Sequence, residues 1–216
     1  MLFHFLLFQL VMDRFWRTMI FNVGCSYKLQ YCCWDSVSNA ENIQMQILSK
    51  DFPCILNAYT VFIDCKALVN ISQIEAAVTQ ALIYYIDKTS GGMHTRELTT
   101  EILYCLSPNR SIKHAMDTFG IQPSTKQLIV GVLHSTDAYN SNDIVLQDYL
   151  SQISKIVQGT MSIDMSKKLA MNIDAVCHEY GITSVERNMI NQSEDPQKSL
   201  LESVFSRMAS RDLLRP

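Results

Sequence analysis

The chain is poor in the residues that build phosphate cradles and sharp breaks: 7 Gly and 5 Pro in 216 residues. No G-x-G-x-x-G or G-x-x-x-x-G-K-[ST] run occurs, and Gly131 sits inside an apolar stretch rather than after one, so no nucleotide-phosphate loop is readable. No Cys-x-x-Cys and no His-Glu-x-x-His appears, and His178-Glu179 lacks a second histidine, so neither a thiolate nor an imidazole zinc site has its spacing. A basic surplus is also missing: 18 Lys+Arg face 21 Asp+Glu, for a net charge of −3, so any contact with nucleic acid has to be local. No apolar run reaches the roughly 20 residues a membrane helix needs. Met1–Met12 is apolar at ten positions, but Asp13, Arg14 and Arg17 follow it.

What is there suits a globular domain. Apolar side chains make up 48% and charged ones 18%, and a chain of this length buries roughly 70% of its unfolded surface without a staple. The cysteines Cys25, Cys32, Cys33, Cys54, Cys65, Cys105 and Cys177 are odd in number and several lie on apolar faces, which points to free thiols in a reducing compartment such as the cytosol and nucleus. The Asn-x-Ser triplets at Asn70, Asn109 and Asn191 then carry no glycosylation.

Along the chain, Lys28–Trp34 and Tyr59–Ile63 read as strands, and Gln127–His134 as a central strand covered on both faces. Ser38-x-x-Glu41 and Ser72-x-x-Glu75 read as capping boxes. The second opens a helix with Ile74, Ala77, Val78, Ala81, Leu82 and Tyr85 inward. A helix from Thr95 to Leu106, with Leu98, Ile102 and Cys105 inward, is stopped by Ser107-Pro108. Ser111 caps a fourth that buries Ile112, Ala115, Met116 and Phe119 and ends at Gly120 as an αL cap. Further helices are expected over Asp143–Gln158, after Ser166 to Gly181, and from Ser199 with Leu200, Leu201, Val204, Phe205 and Met208 buried, whereas Asn188–Lys198 is polar. The expected fold is α/β of the α+β type: one domain, a small mainly antiparallel sheet flanked by helices.

Two basic clusters stand out. Arg207, Arg211 and Arg215 recur every four residues and form a stripe opposite Val204 and Met208. Lys88, His94 and Arg96 flank the Gly91-Gly92 break. Catalytic residues are not evident and no cofactor or metal is expected; the open alternative is an enzyme that pairs Cys105 or Cys177 with a histidine.

The run His94-Thr95-Arg96-Glu97-Leu98-Thr99-Thr100-Glu101-Ile102-Leu103, followed by Leu106-Ser107-Pro108, Ile112 and Phe119-Gly120-Ile121, closely resembles the signature of the TPRKB family, the kinase-binding subunits of the EKC/KEOPS complex. Val37-Ser38-Asn39-Ala40, Thr60-Val61-Phe62-Ile63-Asp64, Asp148-Tyr149-Leu150 and Arg207-Met208-Ala209-Ser210-Arg211-Asp212-Leu213 match in the same order. The resemblance covers roughly residues 27–214, leaving 1–26 as an apolar extension; Asp87–Gly92 is a longer connection than the family usually shows. It implies a non-catalytic subunit that binds a Bud32/PRPK-type atypical kinase and other EKC/KEOPS subunits, with no membrane partner. It further implies support for threonylcarbamoylation of adenosine 37 in tRNA by helping to hold the 3′ end. On that reading Arg96, Arg207, Arg211 and Lys88 are the tRNA-binding candidates. The helix after Ser72 and the last helix are candidate kinase-facing elements.

Overall fold

The computed structural model describes residues 15–87, 89, 91–139, 143–162 and 172–213, with side chains to residue 211. The Met1–Met12 run, Lys88, Ser166 and Arg215 lie outside the described residues. The chain divides into two compact units, Met1–Asp64 with Ile121–Ile163 and Cys65–Gly120 with Asp164–Pro216.

The first unit holds the sheet. Strands β1 (Arg17–Val23), β2 (Cys25–Asp35), β3 (Ala58–Asp64) and β4 (Leu128–Ser135) are ordered β1-β2-β4-β3, and a short β5 (Thr160–Ser162) pairs with β2. All pairings are antiparallel, so the sheet and its helices give the expected α+β class. Strand β1 falls within the stretch assigned to the extension: Gly24, at φ 68°, reverses the chain, and Val23 pairs with Cys25. Strand β4, buried at seven of eight positions, is central as its unbroken apolar run requires.

One face of the sheet packs through Cys32, Trp34, Phe62, Val130 and Val132 with α1 (Ala40–Ser49) and α5 (Ile144–Ile156), which contribute Ile43, Leu146, Leu150 and Ile153. Within that core the Tyr149 hydroxyl donates to the Pro53 carbonyl at 2.8 Å and pairs with Thr60 Oγ1 at 2.7 Å, and burial pushes its pKa up. Of the Asp148-Tyr149-Leu150 run, Tyr149 and Leu150 thus belong to this core, whereas Asp148 is exposed.

The second unit is helical: a 3-10 turn (Cys65–Ala67), α2 (Ser72–Ile86), α3 (Leu98–Leu106), α4 (Ile112–Phe119), α6 (Ile173–Glu179), α7 (Ser184–Asn191) and α8 (Pro196–Leu213). Its polar centre is Gln73, fully buried. Gln73 Oε1 accepts from the backbone N–H groups of Val69 and Asn70, and its amide donates to the Tyr180 hydroxyl at 3.0 Å. Tyr180 in turn donates to the Leu106 carbonyl at 2.8 Å, at the end of α3. Each buried polar group in this relay has a partner, which is what keeps its burial from being costly.

Several local expectations are corrected. Neither capping box forms. Asn39, not Ser38, precedes α1, and its side chain bridges to the segment after α5, donating to the Ile156 carbonyl and accepting from Gln158 N–H. Before α2, Asn70 accepts from Ser72 N–H and Oγ. Ser111 does cap α4, accepting from His114 N–H at 3.2 Å. On α4, Ala115 and Phe119 are buried but Ile112 and Met116 are 37% and 41% exposed. Gly120 is extended, not αL; glycine fits there because a Cβ would meet the Met116 carbonyl oxygen at 2.5 Å. Helix α7 reaches into the polar stretch that begins at Asn188, and α8 starts earlier than expected, at Pro196, which suits an opening helical turn.

Candidate functional site

The signature residues meet in the helical unit around α3. Glu101, in its first turn, has a carboxylate fully removed from water. Its Oε1 pairs with His94 Nδ1 at 3.0 Å, and its Oε2 accepts from Thr95 N–H at 2.7 Å and Thr95 Oγ1 at 2.8 Å. The helix therefore begins at Leu98 rather than Thr95, and the Thr95 side chain ties the preceding loop to α3 instead of capping it. The His94 ring lies edge-on to Tyr84, 5.1 Å between centroids, and tilted over Tyr104 at 4.8 Å. Arg96 stands between the tethered Thr95 and Glu97, exposed.

The basic stripe on the last helix does not form as a solvated face. Arg211 is 3% exposed. Its guanidinium donates to the carbonyls of Tyr104 and Ser107, the latter at 3.2 Å, and lies 4.3 Å from the centroid of the Tyr104 ring. The reason is the end of α3: the last carbonyls of a helix lack i+4 donors and carry partial negative charge; the Tyr104 carbonyl accepts the Ser107 N–H at 3.2 Å, and Arg211 adds further donors and positive charge there. A phosphate contact by Arg211 is incompatible with this placement. Arg207 is half-buried and pairs with Glu186 of α7 at 2.6 Å; the same guanidinium holds the Glu186 carboxyl below the usual carboxylate range. Arg96 is thus the exposed cation of the expected set, and Lys88 lies outside the described residues.

Sequence reasoning missed Glu101 and Tyr104 as members of this cluster. The signal for Glu101 was present: three residues after Leu98 and one before Ile102, it falls on the inward face of α3. An acidic residue on an inward face has to find donors.

Beside Arg207, α7 and α8 enclose an open groove of about 430 Å³ lined by Met189, Ile190, Ser199, Glu202, Ser203 and Arg207. Val185 and Met189, four residues apart on α7, are each 69% exposed. Cys105 and Cys177 are buried, and burial pushes the Cys177 thiol up, away from the thiolate a nucleophile needs. Among the described residues no group of three or more His, Cys, Asp or Glu could hold a metal ion, and no helix is long and apolar enough to cross a membrane.

The family model described as "Kinase binding protein CGI-121" matches residues 34–212, from the end of β2 through α8. The chain belongs to the CGI-121 family. CGI-121 relatives named EKC/KEOPS complex subunit CGI121 include one from Candida glabrata, 25% identical over 83% of this chain and 91% of the relative. Another, from Yarrowia lipolytica, is 25% identical over 65% of this chain and 70% of its own length. A third CGI-121 protein, from Aspergillus terreus, is 27% identical over 57% of each chain. The Glu101 cluster, Arg207 and Arg211 all fall within the span that matches the CGI-121 family.

Proposed function

We propose that this protein is a non-catalytic subunit of an EKC/KEOPS complex, acting in the cytosol and nucleus, that docks on a Bud32/PRPK-type kinase and supports threonylcarbamoylation of adenosine 37 in tRNA. The observation that carries the reading is the CGI-121 match over residues 34–212. Burial of Cys105 and Cys177, and the raised Cys177 thiol, disfavour the Cys/His enzyme.

The kinase contact is assigned to α7 and its groove with α8. Val185 and Met189 offer an exposed apolar pair, and Glu186, Glu202 and Arg207 supply the polar rim usual at such interfaces. The tRNA contact, toward the unpaired 3′ end, is assigned to Arg96: a guanidinium both pairs with phosphate and stacks on a base. Arg207, whose charge Glu186 balances, belongs to the kinase-facing rim.

Co-purification with the kinase of the same organism tests the central claim. A stable complex is expected, and Val185→Asp with Met189→Asp should abolish it; failure of the unaltered chain to bind the kinase overturns the proposal. Arg96→Ala should weaken tRNA binding and flatten its salt dependence.

A further inference from the structure

A buried carboxylate is costly unless it is fully hydrogen-bonded, and Glu101 directs all of its described bonds to one short loop. It does not cap its own helix: α3 begins after Glu97 with no side-chain cap. Instead its two oxygens take His94 Nδ1, Thr95 N–H and Thr95 Oγ1 at 2.7–3.0 Å. Thr95 Oγ1 also lies 2.9 Å from the Glu97 carbonyl, so its one proton is shared between that carbonyl and Glu101 Oε2, while the Thr95 N–H bond to Glu101 fixes the backbone just before residue 96. The His94 ring is held further by Tyr84 and Tyr104. A two-residue tether immediately before an exposed arginine is preorganisation: the backbone that carries the guanidinium is ordered before any ligand arrives, so binding does not bear that entropy.

We propose that Glu101 is the positioning residue for Arg96, its buried carboxylate setting the 94–97 loop so that the Arg96 guanidinium is presented to a phosphate of an unpaired RNA end. The proposal rests on the assignment of Arg96 as the tRNA contact. Glu101 itself touches no RNA; it acts through Thr95 and His94.

The experiment is a double-mutant cycle on the full chain bound to its kinase, titrated with an unmodified ANN-reading tRNA transcript at several salt concentrations. Arg96→Ala should lower affinity about fivefold and reduce the slope of log affinity against log salt by about 1. Glu101→Ala should do nearly the same in the folded protein, and the double variant should lose little more. Glu101→Gln should recover most of the loss, because a carboxamide still accepts from Thr95 while its NH2 donates to His94 Nδ1. Should Glu101→Ala fail to fold, Thr95→Val removes one tether and should show a loss of about twofold to threefold that vanishes in the Arg96→Ala background. An anchor with a purely structural role would lower the unfolding midpoint and leave affinity and salt slope of the folded protein untouched. That result, or losses that add in full, overturns the positioning role while Arg96 stands. If Arg96→Ala changes neither affinity nor slope, the tRNA assignment falls first and the positioning role with it.

Discussion

Replacing Arg211 by methionine tests the burial of this charge against the solvated stripe that its spacing suggests. The guanidinium donates to the Tyr104 and Ser107 carbonyls and stacks on the Tyr104 ring. Hydrogen bonds to a charged group contribute about 1.5–3 kcal/mol each, and a desolvated cation over an aromatic ring contributes up to about 2 kcal/mol. Against this stands several kcal/mol for taking the guanidinium out of water. Methionine fills much of the same volume but leaves the two carbonyls short of a donor, so the net loss should be about 3 kcal/mol. For a chain of this size that is roughly 6–12 °C in Tm. Urea unfolding of the purified chain, read by circular dichroism, measures it. Lysine should recover only a fraction: its ammonium can donate to both carbonyls, as the single Nη1 of Arg211 does, but it cannot stack as a plane on the Tyr104 ring. Arg207→Met, which breaks an ion pair with side chains 27% and 30% exposed, should cost no more than about 1 kcal/mol. If Arg211→Met and Arg207→Met prove equally mild, the buried placement of Arg211 is wrong. If Arg211→Met also flattens the salt dependence of tRNA binding while folded, its exclusion from the RNA contact is wrong as well.

The remaining predictions concern other groups. His134 is fully buried, its Nδ1 lies 3.0 Å from the Ser135 carbonyl, and burial, with Lys28 nearby, pushes its pKa below 6.5 against smaller opposing effects of that bond and Asp143. Because the unfolded chain takes up the proton first, His134 should cost stability as pH falls below about 6.5; urea midpoints at pH 7.5 and pH 5.0 should diverge more for the wild type than for His134→Gln, and equal divergence refutes this. Gly120→Ala puts a Cβ on the Met116 carbonyl and should destabilise by about 1–3 kcal/mol; a change in unfolding free energy under about 0.5 kcal/mol would show that the turn yields freely. Native-state alkylation mapped by mass spectrometry should mark Cys25 and Cys54, which are exposed, ahead of Cys32, whose thiol burial pushes up to about 12. Prompt labelling of Cys32 would contradict its burial.

What the sequence determined by itself is what depends on neighbours along the chain. The unbroken apolar run before His134 specifies a strand buried on both faces. The spacing of Ile74, Ala77, Val78, Ala81 and Leu82 specifies the inward stripe of α2, Pro108 stops α3, and Ser111 opens α4, because each effect acts within one turn or one strand period. The signature around Thr95 to Leu103 was legible as a pattern and named the family. Only the tertiary structure decided which of its charges face water. Arg211 is drawn inward by carbonyls more than a hundred residues earlier in the chain, and Arg207 is balanced by Glu186 from α7, a helix not among those expected that runs into the polar stretch at Asn188. Asn39 is called away from its helix by the strand-side segment at Gln158. A polar side chain is indifferent to its own sequence neighbours when a distant backbone group offers it a better partner; for that reason the apolar pattern could be read in advance and the allocation of these charges could not.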